Sequence, residues 1–472
     1  MRFFLEIFFQ ISASMWKKAF QKIDNSSLVV FRIFFGIIFF AEAVGALALK
    51  WVDNNFVNTV TNFTFIGFEW LLPLQNETMY VVFGLMAVAS VGVMLGYKYR
   101  FSIIALTVLW SLVYFGQKTS YNNHYYLMWL IGLIMCFLPA NAYASIDAKQ
   151  NPSIKKNYMP QWVRILFIVQ VSCVYIFATV AKFYPDWLDG TVTRNMFMSM
   201  TNVPLSVQKM FQKTEFQLFI AYMGIAFDGL IVPALLWKRT RWFAIIASLI
   251  FHVFNSITLQ IGVFPYFALS FCVFFFPPEQ IRNFFFRKKE KEEFNEETTD
   301  DAIKIFRYFF IPYVILQVIL PLRHWFIKDD VLWTEEGHRL SWRMMLRSRS
   351  GEATFKVIDK KTNEQLTFDN SELLNAKQRA RLNTPDVIWQ MAQKIKTHFL
   401  AEGKEVKVFV RHSKVRINGK KSKKLIDPKV DLAAEKWSHF KHHDWILDQN
   451  APKDFYFDKS LMQKLPQSVH QK

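Results

Sequence analysis

The feature that most restricts this chain is a series of long apolar runs. They fall at roughly 28–49, 78–97, 101–117, 122–140, 162–182, 216–236, 241–260, 264–278 and 305–325, the third and eighth being short. A helix needs about 20 residues to cross the hydrocarbon of a bilayer, so these runs predict about nine transmembrane helices. Composition agrees. Of 472 residues 52% are hydrophobic, 50 are Phe and only 20% are charged, more large apolar side chains than a soluble interior hides. With 16 Gly, 16 Pro and 3 Cys, collagen-like, disordered and disulfide-framework classes are excluded. The predicted fold class is an all-α polytopic membrane bundle over residues 1–326, followed by an extramembrane α+β domain over 327–472.

Short loops give the orientation. Lys98-Tyr99-Arg100, the 149–156 loop, Lys238-Arg239-Thr240-Arg241 and Arg287-Lys288-Lys289-Glu290-Lys291 all fall on one side if the N-terminus is cytoplasmic. The charge-rich stretch 287–301 belongs to that side too. The net charge of +19 therefore reads as flanking Lys and Arg, not as a nucleic-acid surface. The first 18 residues combine an apolar run, Glu6 and following lysines, which predicts an interfacial amphipathic helix rather than a signal peptide. Cys136, Cys173 and Cys272 lie inside apolar runs and read as packed thiols; no metal motif is present.

The C-terminal region differs in kind. Residues 352–368 and 405–418 alternate apolar and polar, with turn residues between, and predict two hairpin-like strand pairs. Residues 371–401 predict a helix.

Ionisable groups inside spans are expensive, so each is a candidate for function. Lys182 ends the fifth run in VSCVYIFATVAKFYPDW. It reads as a snorkelling lysine or as an amine desolvated between apolar helices, whose neutral form acts as a base. His124 follows Asn122 and Asn123, amides that either fix its tautomer and donate to a developing anion or cap a helix. His252 and Asn255 are three residues apart, hence on one helix face, and an interhelical hydrogen bond explains them equally well. Asp228 and Glu42 also fall within spans. Under the orientation above, Lys182, His124, His252, Asn255, the loop residue Arg194 and His324 all gather near the outer leaflet.

Six ordered blocks, KTSYNNHYYL (118–127), AKFYPDW (181–187), FHVFNSITLQIGVFPY (251–266), LPLRHW (320–325), SWRMMLRSRS (341–350) and LIDPKVDLAAEKW (425–437), give the chain a resemblance to a family. It resembles the vitamin K-dependent gamma-carboxylases and their bacterial relatives with a horizontally transferred transmembrane (HTTM) domain. The resemblance implies that Lys182 is the catalytic base and that His124 serves the carboxylation step. It places His252 and His324 in or near the active site and Arg349 in a structural or substrate-facing block; Arg194 matches loosely, while Asn123 and Asn255 join the pocket. One departure is Ala181, where the animal enzyme has a second lysine. Another concerns the further long luminal portion of the animal enzyme: this sequence stops shortly after the IDPKVD block.

The activity implied is a carbon–carbon lyase-type carboxylation. Oxidation of vitamin K hydroquinone by O2 to the epoxide yields a strong base in place, the γ-hydrogen of a glutamate is removed, and CO2 adds to the carbanion. The implied cofactors are the reduced naphthoquinone with O2 and CO2 and no metal. The implied partners are a Glu-containing peptide or protein, membrane lipid and a quinone reductase, with no nucleic acid. The expected location is a bacterial inner membrane with the C-terminal domain periplasmic. Two alternatives stand beside this reading: a quinol epoxidase without glutamate carboxylation, and a non-enzymatic lipid-binding or transport protein.

Overall fold

The computed structural model describes residues 18–198, 204–259, 261–292 and 300–448. The interfacial helix expected at 1–18 lies almost wholly outside them. Nine apolar helices are present among the described residues: α1 (Ser26–Ala48), α2 (Thr78–Leu95), α3 (Tyr99–Gly116), α4 (Asn123–Phe137), α5 (Gln161–Ala181), α6 (Thr214–Leu236), α7 (Arg241–Leu259), α8 (Phe264–Phe274) and α9 (Ile303–Phe326). Seven of these are long and apolar enough to cross a membrane, while α4 and α8 are shorter. The third run, expected to be short, forms a full 18-residue helix. The eighth is short, as expected, and the fourth is short too at 15 residues, because Asn122 caps it at one end and Leu138, extended before Pro139, stops it at the other.

Phenylalanine fills the middle of the bundle. The Phe31 ring lies 4.9, 5.0 and 5.1 Å from those of Phe167, Phe271 and Phe274, which ties α1 to α5 and α8. Close backbone approach joins α1 to α2: a Cβ on Gly36 would stand 2.6 Å from Met94 N, so only glycine fits there. At the end bearing the basic loops, Arg32 of α1 is fully buried. It donates to the carbonyls of Ala140 (2.9 Å) and Ala144 (2.7 Å). Nearby, β1 (Lys22–Asp24) pairs antiparallel with β2 (Tyr158–Pro160), and Lys289 reaches Asp24 at 2.9 Å.

The C-terminal region forms a four-stranded sheet in the order β4-β3-β5-β6, built from β3 (Arg349–Asp359), β4 (Gln365–Leu366), β5 (Val406–Ile417) and β6 (Lys423–Lys424). The first expected hairpin is β3–β4. The second segment is one continuous strand, not a hairpin by itself. Its polar centre is a bulge: Thr354 pairs with His412 but Phe355 with Val410, leaving Arg411 extra. The bulge switches parity, so Val406, Val408 and Val410 point inward before it and Ser413, Val415 and Ile417 after it. The helix expected over 371–401 starts later, as α10 (Pro385–Ala401). Pro385 suits a first helical turn and disfavours helix before it, and two capped turns at Asn370–Glu372 and Ala376–Arg379 occupy the preceding residues. Val387, Ile388, Met391 and Ile395 of α10 pack on the inner face of the sheet.

The sheet domain sits on one end of the bundle. Asn123 at the start of α4 donates to Arg343 O (3.3 Å), and Tyr121 Oη accepts from Leu340 N (2.9 Å). The opposite end carries Arg32 and the basic loops.

Candidate active site

Lys182 is the C-cap of α5 and is buried. Its Nζ donates to Asp228 Oδ2 of α6 at 2.5 Å and to Ala178 O at 3.2 Å. The Trp187 ring lies 5.2 Å from the same nitrogen. Snorkelling into solvent is thus not what this lysine does. Nor does it stand alone among apolar helices: it is half of a buried pair, and whichever atom holds the proton, the pair carries no net charge.

His252 lies in α7, two turns before its end. Its Nε2 is 3.3 Å from Tyr175 Oη of α5. Its Nδ1 is buried and, among the described residues, has no hydrogen-bond partner. Aromatic edges surround the ring: Phe227 at 5.9 Å, Phe251 at 5.4 Å and Phe264 at 6.0 Å. Phe227 immediately precedes Asp228, so α6 presents the lysine's partner and the histidine's neighbour in consecutive residues. Phe264 also faces His124, 5.3 Å away. His124 is half-buried, and beside it Tyr125 donates to Glu42 Oε1 at 2.6 Å. Asn255 is half-buried one turn beyond His252.

The amides before His124 act differently from one of their two expected roles. Asn122 accepts from Tyr125 N at 2.8 Å as the α4 cap, and Asn123 turns to Tyr121 and Arg343. Neither is hydrogen-bonded to the imidazole, because the helix start claims them first.

At the joint with the sheet domain, His324 Nδ1 is 2.8 Å from Pro321 O. A carbonyl only accepts, so Nδ1 carries the hydrogen and Nε2 is left to accept from Arg343, 3.2 Å away. Gly337 passes directly over this histidine with φ +79°, and a Cβ there would stand 2.8 Å from His324 Cβ. Arg349 donates to the carbonyls of Asn383 (2.5 Å), Leu332 (3.0 Å) and Trp333 (2.9 Å). It lines a polar cavity of about 270 Å³ together with Lys118, Glu335, Arg339, Arg347 and Arg381.

Two carboxylates in this joint are held by cations. Burial opposes the charge of Glu335, but Arg347, His338 and Arg349 outweigh it and bring the carboxyl to about 2. Arg347 Nε lies 2.6 Å from Glu335 Oε1. Asp386 of α10 sits 2.6 Å from both Lys118 Nζ and Arg339 NH1. Burial again opposes the charge, and the two cations overcome it and hold the carboxyl far below the usual range.

The structure thus brings His252 and His124 to one shared ring, Phe264, with Asn255 on the α7 face one turn beyond His252. Lys182 lies against Trp187 and is linked to this group through α6, where its partner Asp228 follows Phe227. His324, Asn123 and Arg349 belong to the adjoining joint. Arg194 joins neither group: it is exposed, and its guanidinium turns back to Thr191 at 3.0 Å on its own short helix. Sequence reasoning missed Tyr175, Lys118, Glu335 and Asp386. The first two lie in blocks that were singled out, whereas the two acids lie outside the apolar spans, where a carboxylate is ordinarily a solvated surface group. Among the described residues no group of three or more His, Cys, Asp or Glu is placed to hold a metal ion.

Comparison with known families gives two matches. The family model described as HTTM domain matches residues 20–279. The one described as Vitamin K-dependent gamma-carboxylase, lumenal domain, matches residues 302–452. No solved structure matches the chain.

Proposed function

The chain belongs to the HTTM-domain family related to vitamin K-dependent gamma-carboxylases, and from that premise we propose that it is a vitamin K hydroquinone-dependent glutamyl carboxylase. In this reading the bundle does the chemistry and the sheet domain, beginning after residue 326, presents the substrate. The observation that carries it is the buried Lys182–Asp228 pair, set beside an aromatic cradle that holds an unpartnered imidazole nitrogen.

These residues fit a reduced naphthoquinone. A flat ring system suits Phe227, Phe251 and Phe264, and a hydroxyl suits His252 Nδ1, which has no hydrogen-bond partner among the described residues. The outer face of α7 exposes Val253 and Ile257, which suits arrival of an isoprenoid tail from lipid. Reduced vitamin K and O2 supply the strong base that the γ-carbon of glutamate requires, since no side chain is basic enough for that proton. Lys182 would accept a hydroxyl proton at Nζ from the form of the pair in which the shared proton sits on Asp228; the ammonium that results is the counter-ion of the anion left by the hydroxyl. His252 and Tyr175 orient the ring. His124 stands where the glutamate carbon meets CO2. Burial keeps water from the Lys182–Asp228 pair. The cationic cavity around Arg349 and Arg347 receives the acidic side chain of a Glu-containing peptide.

The same reading puts the N-terminus in the cytoplasm and the sheet domain outside, in a bacterial inner membrane, with a quinone reductase restoring the cofactor. The assay that tests it uses the purified protein in lipid, reduced vitamin K, O2, labelled bicarbonate and a Glu-containing peptide. Label should enter the peptide only when quinol and O2 are both present. Quinol consumption without label would leave a quinol epoxidase and refute carboxylation. No quinol consumption at all would refute the enzyme.

A further inference from the structure

Lys182 occupies the first position of a six-residue segment, Lys182–Trp187, that is held from three sides. Toward α6, Trp187 Nε1 donates to Ala221 O at 3.0 Å, seven residues and hence two turns from Asp228 on the same helix face. Toward the sheet domain, Tyr184 Oη donates to Leu346 O. The third hold is Asp186, only 2% exposed. One of its oxygens accepts from Asn418 Nδ2 at 2.9 Å and the other from Lys420 Nζ at 2.5 Å. Asn418 and Gly419 form the turn after β5, with φ +51° and +75°. Asn418 is itself fixed, since its Oδ1 accepts from Ser348 N at 2.9 Å and its own N–H donates to Ser348 O at 2.9 Å.

A carboxylate this deeply buried needs both oxygens satisfied, and its two donors come from the far end of the chain. Asp186 is followed directly by Trp187, whose ring lies 5.2 Å from the Lys182 amine. Any slip of Asp186 therefore moves that ring and the backbone carrying Lys182, while Asp228 stays fixed on α6.

We propose that Asp186 is a positioning residue for Lys182, clamped by Asn418 and Lys420 of the sheet domain so that the amine meets Asp228 and the reacting hydroxyl at the right distance. The proposal rests on the reading of Lys182 as the base and adds the residues that aim it. Asp186 itself touches no reacting atom.

The test uses the full chain in lipid nanodiscs with Asp186→Ala, Asn418→Gly, Lys420→Ala and Lys420→Arg. Asn418→Gly keeps a residue suited to the left-handed turn. Lys420 is half-exposed, so water can reach the Asp186 oxygen that Lys420→Ala leaves, which limits the cost to folding. The kcat for O2-dependent quinol consumption should fall about tenfold in Asp186→Ala and about threefold or more in Lys420→Ala, as misplacement by a fraction of an ångström does. The KM for quinol and peptide should stay within about twofold. Lys420→Arg should recover the rate, and Asp186→Ala combined with Lys420→Ala should be no worse than Asp186→Ala alone.

A second readout needs no activity. Reductive methylation of Lys182, followed by mass spectrometry and normalised to the exposed Lys361, should quicken in the same order of variants. Unchanged kcat and labelling with only a lowered melting temperature would overturn the proposal, as would an effect confined to KM. If the wild type consumes no quinol, the functional reading fails, and the labelling series still decides whether Asp186 positions Lys182.

Discussion

The ring of Phe264 lies against the imidazole of His124 at an interplanar angle of 30° with 5.3 Å between centroids. The same phenylalanine meets His252 edge-on at 6.0 Å. One aromatic residue at the start of α8 thus stands between histidines delivered by α4 and α7, on the side of the bundle where α5 and α6 bring Lys182 and Asp228 together. An apolar plate between two imidazoles suits a flat ligand touched by both sides of the site.

Phe264→Leu keeps most of the volume and removes the flat ring. Aromatic stacking contributes about 0.5–1.5 kcal/mol beyond area burial, so the KM for quinol should rise up to about tenfold. Steady-state quinol oxidation by the folded variant, followed spectroscopically, checks this.

His124 has no part in the Lys182–Asp228 pair. His124→Ala should therefore depress CO2 incorporation more than quinol oxidation, by roughly tenfold in their ratio. Parallel measurement of label and quinol in one reaction gives that ratio. An equal loss of both would mean that His124 positions the quinol.

The buried pair should matter to the fold as well as the chemistry. Removing one partner strands the other, at about 3–5 kcal/mol, so Asp228→Ala should lower the thermal unfolding midpoint in detergent. The exchanged variant Lys182→Asp with Asp228→Lys should regain much of that midpoint but no turnover. A swap that restored activity would remove the claim that the amine's place on α5 matters.

Glu335 provides a pH signature outside the spans. Its carboxyl is held at about 2 against an ordinary 4.5, so the unfolded chain binds this proton first as pH falls. The stabilisation is present above about pH 4.5 and is lost as pH drops toward 2. Its full size is on the order of 3 kcal/mol. Glu335→Gln should flatten the acid limb of a midpoint-against-pH plot relative to wild type; identical limbs would contradict the pairing with Arg347 and Arg349.

The helices were legible because lipid leaves a segment little choice. Crossing it demands about 20 apolar residues, and their ends follow from local signals such as Asn122 and Leu138-Pro139. The expectation that Lys182, His124 and His252 lie toward one leaflet came from helix order together with the basic loops. Pairings did not. Lys182 with Asp228, Lys118 with Asp386 and Asp186 with Asn418 join residues far apart in the chain, and only the docking of helices and sheet brings them together. Arg32 was passed over because its partners are loop carbonyls, which every residue type carries. The bulge at Arg411 was hidden for a related reason: alternation that changes parity in mid-strand looks like a turn.

Oxygen-dependent quinol consumption by Lys182→Ala, in a variant that reaches the membrane in normal amount and unfolds cooperatively, tests the central claim most directly. The rate should fall roughly a hundredfold or more, with CO2 incorporation falling alongside it. A rate within about twofold of wild type would contradict the assignment of this buried amine as the base.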